Sequence, residues 1–342
     1  MDDNAGLIRV AASESAILNG VAVSPEGRVF SSFPRWMHGP TPCIGEAMPD
    51  GSFRTFAIGD WNEWHESMSV TDHFVNVHSL HADADNFLWV IDDGAAHHQP
   101  YLPGAPKIVK IDLLTNQIVR VYPIDATVAP PKSVLGHMRV LGKHGFITES
   151  FHNGIIVLDT DTGATRRILH GLPQTQADTS IVPMIDGREF RRANGQVPQV
   201  HMDLLELSND GRWLYFTSLF GPLLCRIETK HLIDASLSAD QLAAHVEEVA
   251  RIPPCAGVTI DKRGNIYFSA FSENAILVLG ADKQLKTLAA DPRISFPNEC
   301  DIGPDDYLYF PASQIHRLAG FHADGKSTVK TPWEVLKIKT VA

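Results

Sequence analysis

Convincing helix is almost absent from this sequence, and no apolar run approaches the roughly 20 residues of a membrane-spanning helix. Cysteine is scarce too. Cys43, Cys225, Cys255 and Cys300 stand far apart with no CxxC spacing, which reads as buried thiols in a reducing compartment rather than a disulfide framework. Positive charge is in deficit: 29 Lys and Arg face 40 Asp and Glu, for a formal net charge of -11. With no basic stretch to offset that excess, a nucleic-acid partner is excluded, and a small neutral or cationic ligand is easier to hold. No P-loop, dinucleotide glycine fingerprint or serine elbow follows a suitable strand-helix context. The acidic start, Met1-Asp2-Asp3-Asn4-Ala5-Gly6, lacks the basic and apolar regions of a signal peptide, and the reading is a cytoplasmic protein with no membrane contact.

What the chain has instead is one hairpin written many times. Residues 19–30 run as an alternating strand into a Pro25-Glu26-Gly27 turn and return as a second strand. The same grammar recurs at residues 77–90, 202–216, 255–268 and 297–310, with a weaker copy at 135–148 that has no acidic turn. Six copies spaced roughly 40 to 70 residues apart are the mark of a propeller. We therefore expect an all-β fold, a six-bladed β-propeller with four-stranded blades around a central channel. Residues 15–342 form its single domain, and 1–14 an N-terminal segment that closes the ring against residues 333–339. Residues 1 to about 8 read as a frayed end. A polar excursion from about 173 to 198 is too long for a plain connection and reads as a lid or wall. Residues 238–246 carry a Ser-x-x-Gln capping box and read as a short helix.

Aligning the hairpins on Gly27, Asn86, Gly145, Gly211, Gly264 and Asp306 places a ring of residues at the channel mouth, eight positions earlier: Asn19, His78, His137, Asp203, Ala256 and Asn298. Five of the six are polar. Buried polar groups must be paired, so such a ring implies water, a metal or a ligand at its centre, or else a solvated tunnel mouth. The second strands end on the same face and add Asp92, Asp93, Glu149, Ser150, Ser218, Ser269 and Ser313. His78, His137, Asp203 and Glu149 are the candidate acid-base residues, with Asp92 or Glu149 as base or as orienter of an imidazole. Asn19, Asp92, Asn298, Glu299 and Trp36 are the candidate ligand-binding residues. Two His and one Asp suit zinc, while Asp203 and Asn298 with carbonyls suit calcium, so a divalent metal, Ca or Zn, is the cofactor the ring admits. Residues 61–65 and Arg35-Trp36 read as pocket wall or inter-blade packing. Adjacent His97 and His98 read as surface loop, and Arg188, Arg191 and Arg192 as a solvated cluster or a contact for an anion.

The chain resembles the major royal jelly protein and yellow family. The resemblance rests on Leu88-Trp89-Val90-Ile91-Asp92-Asp93-Gly94, the stretch from Pro106 to Arg120, Ile147-Thr148-Glu149-Ser150, Leu214-Tyr215-Phe216-Thr217 and Gly264-Asn265-Ile266-Tyr267-Phe268. It covers about residues 15–340. It implies a six-bladed propeller and, more loosely, dopachrome-type conversion or capture of small amines. A more distant resemblance is to gluconolactonase-type propellers, which implies metal-dependent lactone hydrolysis. That pattern calls for a Glu in the first blade and an Asp before Gly in a late one, where Asn19 and Ala256 stand here. The functional expectation is a hydrolase of a lactone or ester-like metabolite. The alternatives are an isomerase of a cyclic aromatic metabolite, or a binder of an aromatic amine. The sequence leaves the oligomeric state open.

Overall fold

Hairpin turns whose apex needs a positive φ mark where each blade begins. The apex falls at Gly27, Gly211 and Gly264 (φ 81°, 67° and 86°), and at Asn86 and Asp306 (63° and 58°), residue types that tolerate this region. Blade three differs. Its turn lies at Gly142 (φ 56°), while Gly145 is inside the strand His144–Glu149, where a Cβ would press on the end of the Met138 side chain. The alignment on Gly145 is thus corrected to a tighter hairpin, which is why that copy looked irregular.

The computed structural model describes residues 6–37 and 41–341. Residues 1–5, most of the stretch read as a frayed end, lie outside the described residues. Six four-stranded antiparallel sheets are present. Their inner strands are Val21–Val23, Val77–Ala82, Leu135–Leu141, Met202–Leu207, Val258–Ile260 and Asp301–Ile302. The sixth blade takes its outermost strand from the start of the chain, with Ile8–Ser13 pairing antiparallel to Trp333–Lys339. Hydrogen bonds between the two ends of the chain close the ring. The capping box at Ser238 and Gln241 forms as expected and starts a five-residue helix, Ala239–Ala243.

Middle strands of the blades, such as Phe87–Asp92, Ile155–Asp159 and Ala275–Leu279, are buried on both faces and read as continuous apolar runs rather than alternations. In Phe87–Asp92, Leu88 and Val90 pack toward blade one, while Trp89 and Ile91 pack toward blade three. Similar clusters fill the other four junctions, for instance Phe146 with Phe216, and Phe310 with Tyr267. Each fully buried large side chain contributes roughly 1.5–3 kcal/mol, and the core is a ring of wedges rather than one central cluster. The channel is therefore left for polar groups. Residues 173–198 hold a short hairpin, Met184–Ile185 with Arg188–Glu189, and lie over the mouth of that channel.

Candidate active site

The inner strands of blades two, three and four are each interrupted at the channel mouth by a β-bulge. Pairing passes from Val77 to Ser79, from Leu135 to Met138 and from Met202 to Leu204. The residues left out of the ladder include His78, His137 and Asp203. A bulge adds an unpaired residue and re-aims its side chain, and here three consecutive bulges aim a His, a His and an Asp at one point. One ring nitrogen of each histidine and a carboxylate oxygen of Asp203 lie within 4.8 Å of one another. The imidazole centroids are 6.4 Å apart.

Each histidine has its own carboxylate. His137 Nδ1 is 3.1 Å from Glu299 Oε1, and His78 Nδ1 is 3.5 Å from Asp93 Oδ2. The second contact is too long for a strong hydrogen bond. Burial works against a charged His78, but Asp93, with Asp203 and Glu299 behind it, outweighs burial and the imidazole pKa is raised. Asp93 is held by Asn76 Nδ2 (2.8 Å) and the Ala95 N–H (2.9 Å), and Glu299 Oε2 accepts the Leu80 N–H at 3.3 Å. No donor among the described residues hydrogen-bonds the Asp203 carboxylate. Gly20 makes room for Glu299: a Cβ there would lie 2.3 Å from Glu299 Oε2.

The remaining candidates are placed differently. Glu149 does not line the cavity. It is fully buried, pairs with Arg167 at 2.7 Å and accepts the N–H groups of Val134, Phe151 and His152. Asp92 is likewise enclosed, ion-paired to buried Lys107 at 2.7 Å and accepting the Val75 and Asn76 N–H groups. The carboxylates beside the imidazoles are Asp93 and Glu299 rather than the Asp92 or Glu149 read from the sequence, since Asp92 faces the opposite way from its neighbour Asp93, toward Lys107, and Glu149 is taken up by Arg167. Asn298 donates to Asn19 Oδ1 and accepts the Glu299 N–H, and Asn19 Nδ2 donates to the His78 carbonyl at 2.8 Å. These two asparagines tie blades six, one and two together while still lining the cavity. Ala256 packs among phenylalanines instead.

Above this floor lies a cavity of about 370 Å³ with walls of Trp36, Tyr101, Phe151, Phe190, Phe220, Phe296 and Phe321. Phe151 and Phe220 stand two residues beyond the end of a second strand in blades three and four, and Phe271 one residue beyond it in blade five. The sequence thus carried a repeat-aligned aromatic signal that the ring alignment passed over. Phe190, from the long excursion, stacks on Phe321 at 4.7 Å. That excursion is pinned by Asp186, which bonds Arg317 (2.7 Å), Asn274 (2.9 Å) and His316 Nε2 (3.0 Å). Trp36 packs edge-on to His78 and stacks on His98 at 5.5 Å, so His98 belongs to the cavity rim rather than to a remote loop. Arg192 is also at the rim, whereas Arg188 bonds His322 and Arg191 bonds Glu189. Trp61 packs in the junction of blades one and two, and Trp64 outside the cavity. All four cysteines are buried and free. Burial raises their pKa values, that of Cys43 to about 11, and none lines the cavity, so no thiolate nucleophile is offered. The floor can exchange protons through two imidazoles, polarise a water, or hold a cation among three carboxylates.

No helix among the described residues is long and apolar enough to cross a membrane. Similar solved structures span nearly the whole chain. A gluconolactonase from Xanthomonas campestris has a TM-score of 0.58 at 12% identity, covering 97% of this chain and 89% of its own. A virginiamycin B lyase from Staphylococcus aureus has a TM-score of 0.56 at 16% identity, covering 98% and 99%. At such identities the likeness is one of fold. No curated protein matches the sequence. The family model described as "Major royal jelly protein" matches residues 75–335, blades two to six with all three bulged strands, and the chain belongs to that family.

Proposed function

We infer that the protein is a hydrolase of a small cyclic ester, a lactone or ester-like metabolite with an apolar or aromatic body. The observation that carries the reading is the convergence of two histidine-carboxylate pairs and an unbonded Asp203 beneath an aromatic-walled cavity. Without a thiolate in the cavity, water is the nucleophile this floor suits best. Its oxygen attacks the carbonyl carbon while the cluster of His78, His137 and Asp203 takes the proton. The tetrahedral intermediate then collapses, the ester C–O bond breaks, and the proton passes to the leaving alkoxide oxygen. Asp93 and Glu299 act as positioning residues, each fixing the orientation of one imidazole.

One observation favours a second reading. Two neighbouring imidazoles beneath a pocket also suit moving a proton between two atoms of a bound ring, which is isomerase chemistry on a cyclic aromatic substrate. Three carboxylates beneath aromatic walls would equally attract an aromatic amine without turnover. A panel of aryl and alkyl lactones and esters, assayed against wild type and Asp203→Asn, tests the first reading. Turnover that falls at least about 100-fold in the variant supports it. Trp36 fluorescence quenched by aromatic amines, with no turnover of any panel member, would overturn it in favour of capture.

A further inference from the structure

The geometry points to a resident divalent transition metal held by His78, His137 and Asp203, with Asp93 and Glu299 orienting the two imidazoles. This deepens the hydrolase reading by supplying what would polarise the water, but it stands on its own observations. The three donor atoms lie within 4.8 Å of one another, so small side-chain rotations would bring them round one ion at ordinary ligand distances of about 2.0–2.2 Å. The Nδ1 atoms of both histidines face carboxylates. His137 Nε2 is buried without any partner, and His78 Nδ1 and Glu299 Oε1, though close to Asp93 and His137, make no hydrogen bond either. His137 is 2% exposed, so an unbonded ring nitrogen there costs free energy unless something binds it. A histidine with one nitrogen on a carboxylate and the other free is the arrangement of metal-ligating imidazoles, whose second nitrogen is held by an outer carboxylate.

Charge argues the same way. Asp93, Asp203 and Glu299 crowd one floor, 2%, 4% and 1% exposed. Arg139, two residues beyond His137 on the same inner strand, is taken up by both carboxylate oxygens of Glu206. A divalent ion would balance the negative charge that these three carboxylates bring together. Two imidazoles and one carboxylate favour zinc, iron, cobalt, nickel or manganese over calcium or magnesium, which prefer six or more oxygens. The ligand set therefore replaces Asn298, whose carboxamide is spent on Asn19 and on the Glu299 N–H. It is also distinct from the gluconolactonase-type pattern, from which the sequence departs at Asn19 and Ala256.

The test is titration of chelator-stripped full-length protein with Co(II) alone, read by its visible absorption bands, alongside elemental analysis of the protein as purified. One equivalent of cobalt is expected, displaced by zinc and lost in His137→Ala and Asp203→Asn. Glu299→Gln should retain the bands with roughly 10–100-fold weaker affinity. Near-UV circular dichroism checks folding, and if His137→Ala does not fold, the same-sized Asp203→Asn carries the test. Absence of bands at cobalt concentrations up to about 0.1 mM, or equal uptake by wild type and Asp203→Asn, overturns the site. Ester turnover unchanged after stripping overturns the metal and leaves the hydrolase reading standing. Cobalt bound with no turnover of any ester leaves the metal and removes the hydrolase.

Discussion

At the channel mouth His78, His137 and Asp203 leave ring nitrogens and a carboxylate unspent. Two or three residues further along the same inner strands, Arg139 and Glu206 leave almost nothing. The guanidinium meets both carboxylate oxygens at 2.9 to 3.0 Å, donates to the Met138 carbonyl, and the carboxylate also accepts the Leu207 N–H. Burial disfavours a charged Arg139, but Glu206 outweighs it and the pKa is raised. His81, half-buried beside Arg139, has its pKa lowered well below the usual range by desolvation and by the guanidinium. Both layers are enclosed and both are polar. The difference is whether the partners come from the chain, and it separates a layer that holds the blades together from one that is completed by something else.

Breaking the deep layer should cost most. Glu206→Ala leaves Arg139 buried and unpaired, and a loss of about 3–5 kcal/mol is expected in urea or thermal unfolding. Asp203→Asn at the mouth should change stability by about 1 kcal/mol or less while abolishing turnover and cobalt binding. Equal losses in the two variants would erase the distinction between the layers. Gly20→Ala comes next, because its methyl would displace Glu299 from His137. A cost of about 1–3 kcal/mol and weaker cobalt binding are expected, with Gly320→Ala, which meets nothing, as the silent control.

Asp186→Ala should leave the unfolding midpoint nearly unchanged but speed amide exchange over residues 184–190, since it removes the three bonds that pin the excursion above the mouth. Unaltered exchange would mean that the Phe190 stack alone holds it. A pH-dependent effect belongs to Asp301, which lies beside the deep layer and accepts the Val23 N–H at 2.8 Å. Burial, reinforced by Glu206 and opposed by Arg139, pushes its pKa up to about 7. The folded state therefore binds a proton that the unfolded chain releases near pH 4. Stability from this group is full below pH 4 and is lost as pH rises through about 7. The wild-type melting temperature should decline by a few degrees between pH 5 and 8 relative to Asp301→Asn. Parallel pH profiles would show that Asp301 ionises normally.

Most of the architecture was legible because a propeller repeats itself. Turn chemistry at Gly27, Asn86, Gly211, Gly264 and Asp306 marks five blades, and the capping box at Ser238 marks a short helix. Blade three misled because its two-residue turn at Gly142 carries no acidic partner. The ring positions were legible for the same reason. Which carboxylate stands beside which imidazole was not. Asp92 and Asp93 are neighbours of the same type, yet a half-turn of the strand gives one to Lys107 and the other to His78. Glu149 reads as a catalytic base in sequence, and only the fold shows Arg167 and three N–H groups closing around it. The aromatic walls come from loops of five blades and from an excursion with little local pattern of its own.

The sequence by itself determined the six hairpins, the closing strand and the polarity of the channel mouth. Those depend on turn residues and on apolar runs within a few positions of one another. Tertiary structure alone decided that Glu299 of blade six serves His137 of blade three, that three bulges aim at one point, and that Phe190 roofs it. Such pairings are made across the closed ring between residues up to a few hundred positions apart. Closure and packing set them, and no local propensity encodes them.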